Sequence, residues 1–288
     1  MGQILRELTN REISLLVWLL VLLAFVWAKR DLRQSFNQVL KAIFLTRIGV
    51  ALLAMILYVA LIVLGSYAVG LWHLWMLKDT LFWLFGSGVI LLFNIDKAAK
   101  EERYFKSVTI ENLKFATILT FILNLYVFNI WVELALAPIL AVLAMLIVVA
   151  GTKAEYGPAE KLFKWVMGLV GAGLLVYVTA SLLADFKGFA TLKNLEDFLV
   201  PVALTLTLLP FIYILALYMS YELIFVRLGM FLRERQDLVR FAKWQAVRSC
   251  RLRLGSVRRF SGEYTNRLGR ARDRAKMAAV VTEFRADP

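Results

Sequence analysis

Long apolar stretches bounded by charged residues recur along the whole chain of 288 residues. Most of them are close to the roughly 20 residues that an α-helix needs to cross the hydrocarbon core of a bilayer. The pattern therefore predicts an all-α integral membrane protein with about seven transmembrane helices, at residues 13–28, 48–69, 80–95, 115–129, 134–151, 163–183 and 198–226.

The border between the fourth and fifth stretches is the least obvious of these divisions. Residues 115–151 contain no Lys or Arg, and as a single helix they would reach roughly 55 Å, nearly twice the hydrocarbon thickness. Asn and Glu favour water, Trp favours the interface and Pro is tolerated in a first helical turn. The chain is therefore predicted to fold back near Asn129, Trp131, Glu133 and Pro138.

The third stretch, 80–95, is short for a span and contains Gly86, Ser87 and Gly88. Such a segment either crosses the membrane or enters and leaves it on the same side. The sequence leaves both alternatives open.

An amphipathic pattern joins the first two stretches, at residues 29–47. Its apolar positions recur at three- and four-residue spacing between flanking Lys and Arg residues, which predicts an elbow helix lying on anionic headgroups. A simple basic connector is an equally good interpretation. The apolar positions are Leu32, Phe36, Val39, Leu40 and Ile43.

The distribution of Lys and Arg between alternate connections predicts the orientation. The connections on one side hold 29 basic residues and those on the other side hold 5. Because cytoplasmic loops are rich in Lys and Arg, the amino terminus is predicted outside and the carboxyl terminus in the cytoplasm. The basic connections are residues 29–47, 96–114, 152–164 and 227–288.

Composition narrows the function classes further. Hydrophobic residues make up 61% of the chain, and it contains one Cys and one His. This excludes a soluble globular enzyme, and it argues against zinc, haem and di-iron sites, which need several thiolate or imidazole ligands. No nucleotide-binding or nucleophile motif is present. The sequence therefore predicts no enzyme activity, no cofactor and no metal.

The charge divides the chain into a transmembrane region, residues 1–226, and a basic helical tail, residues 227–288. The first carries a net charge of +3 and the second +10. The tail has 14 Arg and 2 Lys, whereas the rest has 6 Arg and 12 Lys. Arg presents a planar fork that binds phosphate in a bidentate manner and stacks on bases. The bias therefore indicates a phosphate-bearing partner.

Aromatic residues lie among these arginines, and cations with stacking rings are typical of surfaces that bind single-stranded nucleic acid. A juxtamembrane patch that attracts anionic lipid remains the alternative for the arginines as a group. The candidate ligand-binding residues are Arg248, Arg251, Arg253, Arg258, Arg259, Arg267, Arg270, Arg272, Arg274, Phe241, Trp244, Phe260 and Tyr264.

The helical pattern of the last span runs on without Pro from residue 211 to about residue 248. It predicts one rigid helix that transmits the effect of ligand binding from the tail to the membrane spans, with Gly229 as its weak point.

Two polar residues near or within spans are candidates for lining or gating a pore. Glu222 faces either a bundle interior or a neighbouring helix, and Asn124 either lines a pore or bonds between helices.

Two further features of the tail have open interpretations. Gly255, Gly262 and Gly269 are spaced by seven residues, so they either let helices approach closely around an axis or end short helices as C-caps. Cys250 lies among arginines that are expected to lower its pKa and make it reactive. An incidental thiol is the other interpretation of Cys250.

Four segments resemble those of an uncharacterised family of bacterial multi-pass inner-membrane proteins. They are LWHLWMLKDTLFW at 71–83, FNIWVEL at 128–134, DFKGFATLKNLEDFLVP at 185–201 and YMSYELIFVRL at 218–228. Such proteins are similar to the membrane effectors of anti-phage defence systems, including the Hailong type. The resemblance implies an oligomeric channel in the inner membrane, held closed by DNA oligomers that a nucleotidyltransferase encoded nearby makes.

Two functions are consistent with these features. The first is a homo-oligomeric ion channel, gated by a nucleic acid or nucleotide bound at the Arg-rich tail. The second is a non-conducting membrane anchor that recruits nucleic acid or an acidic partner to the inner face. The sequence does not identify the conducted ion, the length of the ligand or the number of subunits.

Overall fold

A computed structural model describes residues 8–112, 127–184, 191–233, 235–271 and 273–286 of the chain. All regular secondary structure in these residues is helical. In chain order the helices are α1 (Asn10–Ala28), α2 (Arg30–Phe44), α3 (Arg47–Ala68), α4 (Leu77–Trp83), α5 (Val89–Phe93), α6 (Ile95–Lys100), α7 (Tyr104–Asn112), α8 (Ile130–Ala150), α9 (Gly157–Ala184), α10 (Leu192–Phe231), α11 (Gln236–Cys250), α12 (Leu254–Arg259), α13 (Thr265–Arg270) and α14 (Arg274–Ala286).

Six helical segments in the described residues are long and apolar enough to cross a membrane. They confirm the expectation of an all-α protein with membrane-spanning helices. The fourth predicted span, 115–129, lies almost wholly outside the described residues, so the count of seven stays a prediction. The six segments are Asn10–Ala28, Arg47–Ala68, Leu74–Phe93, Ile130–Ala150, Gly157–Ala184 and Asn194–Phe231.

The segment Leu74–Phe93 begins with a 3₁₀ turn and contains one π-helical turn, Leu84–Gly88. This wider turn includes the Gly-Ser-Gly sequence that made the segment look interrupted. The helix stays continuous through it, and 20 residues suffice for a crossing. Whether the segment crosses or re-enters stays open.

The chain forms two compact units, and the first contains residues 1–50, 73–79 and 111–202. Helix α1 starts with a capping box in which Thr9 and Glu12 satisfy each other's backbone N–H groups. Asn129 caps α8 by accepting from the Val132 N–H at 3.0 Å. Near these two starts, Arg11 pairs with the buried carboxylate of Glu133 at 3.1 Å.

The start of α8 agrees with the predicted fold-back point at Asn129. Pro138 lies inside the helix rather than in its first turn, which differs from the expectation. The predicted elbow forms a helix at Arg30–Phe44. Contact of that helix with lipid stays a prediction.

The second unit contains residues 51–72, 80–110 and 203–288, and the long helix α10 runs through it. Every fourth residue of α10 from Leu204 to Leu228 is buried. A stripe with this spacing shifts by about 40° at each step, so it winds around the helix. Its early part lies beside Trp83, whose Nε1 donates to Thr205 Oγ1 at 2.8 Å, and beside Tyr58, whose hydroxyl donates to the Thr207 carbonyl at 2.9 Å.

The rigid helix predicted from residue 211 to residue 248 is wrong, because α10 ends at Phe231 and α11 begins at Gln236. No Pro or Gly causes the break. Helix α11 has its own buried stripe, which includes Leu238, Ala242 and Ala246. The chain turns so that this stripe packs against the rest of the second unit, which a straight extension would leave in water.

The three glycines spaced by seven residues do not share one helix. Gly255 lies at the start of α12, and Gly269 lies within α13. Gly262 has a non-helical backbone at the kink between these two helices. Neither a continuous heptad nor a set of three C-caps describes them.

The units do not test the predicted boundary between residues 226 and 227. That boundary was drawn from charge, whereas the units follow backbone proximity. The division into a transmembrane region and a tail therefore stays a prediction.

Candidate functional site

Two tyrosines of α10 hold the turn that follows α11. The Tyr213 hydroxyl donates to the Leu252 carbonyl at 2.7 Å and accepts from the Leu254 N–H at 3.1 Å. The Tyr221 hydroxyl donates to the Arg251 carbonyl. Arg251 has φ of +50°, a strained backbone conformation for a residue other than Gly. These bonds stabilise the strained turn and fasten the tail to α10.

Two arginines extend this attachment. Arg227, near the end of α10, donates to the Ser261 carbonyl at 2.8 Å. Arg258 donates through Nε to the Ala99 carbonyl and through Nη2 to the Ala98 carbonyl. These carbonyls belong to the last turn of α6, where carbonyl groups lack helical partners and the helix dipole favours a cation.

Arg258 was predicted as a ligand-binding residue, but its guanidinium is hydrogen-bonded to the end of α6. Burial lowers the pKa of this guanidinium from its ordinary value. Arg258 therefore has a structural contact that a phosphate ligand would have to displace. Sequence reasoning missed this role because the partners lie 160 residues away in the chain.

The predicted stacking ring of Phe260 is fully buried. It packs edge-on against Phe284 with ring centroids 5.0 Å apart, and Tyr264 packs on the same ring at 5.1 Å. The Arg259 guanidinium lies 4.8 Å from the centroid of the Phe284 ring on the same cluster. Phe260 is therefore a core residue here, and its ring is not available to stack on a ligand.

The other predicted arginines fall into two groups along α10. The proximal group, Arg248, Arg251 and Arg253, lies at the end of α11 near Tyr213 and Tyr221. The distal group, Arg267, Arg270 and Arg274, lies near the end of α10, where Gly269 contacts Phe231. Tyr213 and Phe231 are 18 residues apart, or about 27 Å along the helix axis. A single phosphate cannot contact both groups. Arg272 lies outside the described residues.

In the distal group, Arg267 forms a two-bond ion pair with Glu283. The hydrogen bond raises the pKa of Arg267 and lowers the pKa of Glu283. Arg274 lies 3.9 Å from Asp237 and covers the Phe241 ring at 5.5 Å. A phosphate ligand at this group would compete with these two carboxylates.

In the proximal group, the Arg248 guanidinium stacks over the ring of Trp244, 5.0 Å from its centroid. Trp244 is more than half exposed. Lys243 lies over the Phe225 ring at 5.4 Å. The exposed guanidinium of Arg248 and the exposed ring of Trp244 thus lie together, and ligand binding by them stays a prediction.

The predicted gating residues give no common site. Asn124 lies outside the described residues. Glu222 is half-buried on α10. Gly229 also lies within α10, before the break rather than at it, and a Cβ added there would meet nothing within 4 Å. Sequence reasoning missed Tyr213 and Tyr221, which attach the tail to α10. The available signal was two tyrosine hydroxyl groups about two helical turns apart in an otherwise apolar span.

Cys250 lies in the packed face of α11. Burial raises the pKa of its thiol to about 12, and the nearby Arg259 offsets this only in part. The prediction that neighbouring arginines lower this pKa is therefore wrong. Arg248 stacks over Trp244 and Arg251 is exposed, whereas desolvation acts on the thiol directly.

We expect Cys250 to react slowly with a maleimide in the folded protein. At pH 8 a thiol with a pKa near 12 has roughly 1000-fold less thiolate than an ordinary thiol. The chain contains one Cys, so the labelled mass in a time course reports this site alone. Labelling in SDS and urea supplies the unfolded rate, and equal rates in both conditions would contradict the burial.

No group of three or more His, Cys, Asp or Glu side chains that suits a metal ion occurs in the part of the chain that the structure describes. No family model matches the chain, and no curated protein or solved structure is detectably similar to it. The resemblance to anti-phage membrane effectors thus stays a hypothesis.

Proposed function

We propose that this protein is an oligomeric ion channel of a bacterial inner membrane, gated by single-stranded nucleic acid or a nucleotide at its Arg-rich tail. The tail lies in the cytoplasm, in keeping with the excess of Lys and Arg on that side. A role in anti-phage defence, with a nucleotidyltransferase as the source of the ligand, belongs to the same proposal.

The observation that carries this proposal is the double role of α10. Its first part in the second unit packs on Trp83 and Tyr58 of two candidate spans. Its later part holds the tail through Tyr213 and Tyr221. A ligand that moves or clamps the tail therefore acts on the same helix that packs between spans.

Coupling between the tail and the spans through these contacts replaces the coupling along one continuous helix that the sequence predicted. Side-chain bonds to α10 and the contact of Arg258 with α6 link the tail to the spans on more than one side. A ligand shifts the gating equilibrium only by its difference in affinity for the two states. A difference of about 1 to 3 kcal/mol changes that equilibrium roughly 5- to 150-fold.

The distal group is the proposed nucleic-acid contact. Arg270 is exposed, and Arg274 is exposed beside Phe241. Guanidinium groups beside an aromatic ring suit a phosphate and a stacked base. The exposed position of this group leaves room for an extended ligand.

We expect the full chain in detergent to bind a labelled single-stranded DNA oligonucleotide, with an affinity that falls as salt rises. Changing Arg270 and Arg274 together to Gln should weaken binding by about tenfold or more, because two phosphate contacts are lost. The double Lys variant should recover only part of this loss, because it keeps the charge and removes the fork. Fluorescence anisotropy across a salt series measures each case.

Arg33→Gln is the matched control, since Arg33 is also exposed but lies on α2. If this control lost as much oligonucleotide affinity as the distal variants, the oligonucleotide would be held by positive charge in general and not by the distal group. Current through the protein in planar bilayers, with and without oligonucleotide, tests the channel. Binding without current under any condition would replace the channel by the membrane anchor.

A further inference from the structure

An open groove lies between the later part of α10 and the end of α11, entirely within the second unit. Its volume is about 650 Å³. Apolar and aromatic side chains form most of its wall, and no acidic residue is among the lining residues that the structure describes. The residues that decide its chemistry are Ile214, Leu217, Tyr218, Leu252, Arg248 and Arg251.

The two arginines that line the groove come from the end of α11. The Leu252 carbonyl accepts from the Tyr213 hydroxyl, so Leu252 lies at that level of α10. The backbone carbonyl of Arg251 accepts from the Tyr221 hydroxyl, and Lys243, which does not line the groove, lies over the Phe225 ring. From Tyr213 to Phe225 the helix rises about 18 Å. Because α11 runs back along α10 between these two contacts, Arg248 lies further along α10 than Leu252. The groove therefore has an apolar end at Ile214 and Leu252 and a cationic end at Arg248.

Contacts within the second unit show where the groove lies relative to the candidate span Leu74–Phe93. Trp83 bonds to Thr205, and Phe105 packs on Tyr213 with ring centroids 5.5 Å apart. Phe105 lies on α7, twelve residues after the end of the span, so the chain beyond the span reaches a later level of α10 than Trp83 does. The span and α10 therefore run in the same direction. The span ends at Phe93, ten residues after Trp83. This end is level with about residue 215 of α10.

The apolar end of the groove is thus level with the end of this candidate span, and the cationic end lies further along α10. The contact of Arg258 with Ala98 and Ala99, just beyond the span, agrees with this level. Leu252, with 75% of its surface exposed, and Ile214, with 65%, would otherwise face water. An occupant has to be apolar at one end and anionic at the other.

We infer that this groove binds one anionic phospholipid, with an acyl chain along Ile214, Leu217 and Leu252 and its phosphate between Arg248 and Arg251. The forked guanidinium groups bind the phosphate oxygens. Tyr218 lies between the two ends and covers the glycerol region. This site is independent of the proposed nucleic-acid contact at the distal group.

Native mass spectrometry of the full chain tests the site with two lipids of identical acyl chains, phosphatidylglycerol and phosphatidylcholine. After delipidation, we expect one phosphatidylglycerol per chain to bind in preference to phosphatidylcholine. Changing Arg248 and Arg251 together to Gln should reduce phosphatidylglycerol binding roughly 25-fold, at about fivefold for each arginine near an anionic lipid. Tyr218→Ser should weaken both lipids.

Arg240→Gln is the control, since Arg240 is exposed on α11 but is not among the groove residues. Slow labelling of Cys250 shows that each variant keeps its fold. Equal binding of the two lipids, or an equal loss with Arg240→Gln, would overturn the site. A change of subunit number in the Arg248 and Arg251 variant, without loss of lipid, would assign the groove to a second copy of the chain and also overturn it.

Discussion

Gly269→Ala should destabilise the attachment of the tail, although Ala favours helices more than Gly does. A Cβ at position 269 would lie 2.6 Å from Cδ2 and 2.8 Å from Cβ of Phe231. The Phe231 Cβ is fixed to the end of α10, so a rotation of the ring cannot remove the clash. Overpacking of this kind costs about 1 to 3 kcal/mol. Opening of the tail exposes Cys250, so its labelling should become roughly 5- to 150-fold faster.

Two other glycines serve as controls for the helical preference of Ala. A Cβ added to Gly229 or Gly255 meets nothing within 4 Å. Ala at either position should leave labelling unchanged or slow it, because Ala stabilises a helix by up to about 1 kcal/mol over Gly. The double variant Gly269→Ala, Phe231→Ala should label more slowly than Gly269→Ala alone. Additive effects of the two changes would show that the two residues do not touch.

Arg258→Gln should release the tail from α6. The change removes the charge and the two donors that satisfy the carbonyls of Ala98 and Ala99. Hydrogen bonds from a charged donor contribute about 1.5 to 3 kcal/mol, and the partial exposure of Arg258 favours the lower figure. We expect Cys250 to label roughly tenfold faster. In a bilayer, the same variant should bind oligonucleotide as before while its current responds less to it.

Arg253→Gln is the matched control for charge. Arg253 lies five residues earlier and is exposed, and its side chain makes no ion pair with the described residues. It should leave the labelling of Cys250 unchanged. If Arg258→Gln instead weakened oligonucleotide binding as much as the distal variants do, Arg258 would be a ligand contact. Unchanged gating together with faster labelling would exclude a route through α6.

The attachment of the tail also explains why gating cannot be inferred from helix continuity. The apolar pattern continues past residue 231, yet the helix ends there. Periodicity shows which face of a helix needs a partner, but not whether that partner lies ahead or behind in the chain. Here α11 turns back, and the tail bonds to the middle of α10 through Tyr213.

Sequence alone predicted the six helical segments that are suited to a membrane. The helix after the first of them was one of two equal interpretations, and the structure forms it. Hydropathy summed over about 20 consecutive residues is a local property, so it needs no knowledge of distant contacts. The concentration of Arg in the last fifth of the chain is local in the same sense. The start of α8 after Asn129 falls where Asn129, Trp131 and Glu133 interrupt the apolar pattern, and its cap joins residues only three positions apart.

The tertiary structure decided which members of the Arg-rich tail are accessible. Phe260 and Trp244 look equivalent in sequence, yet one ring is buried against Phe284 and the other is more than half exposed. Arg258 and Arg253 differ in the same way, because only Arg258 reaches the end of α6. Burial and pairing depend on residues brought together from distant parts of the chain, and the linear order of charges and rings does not contain that information.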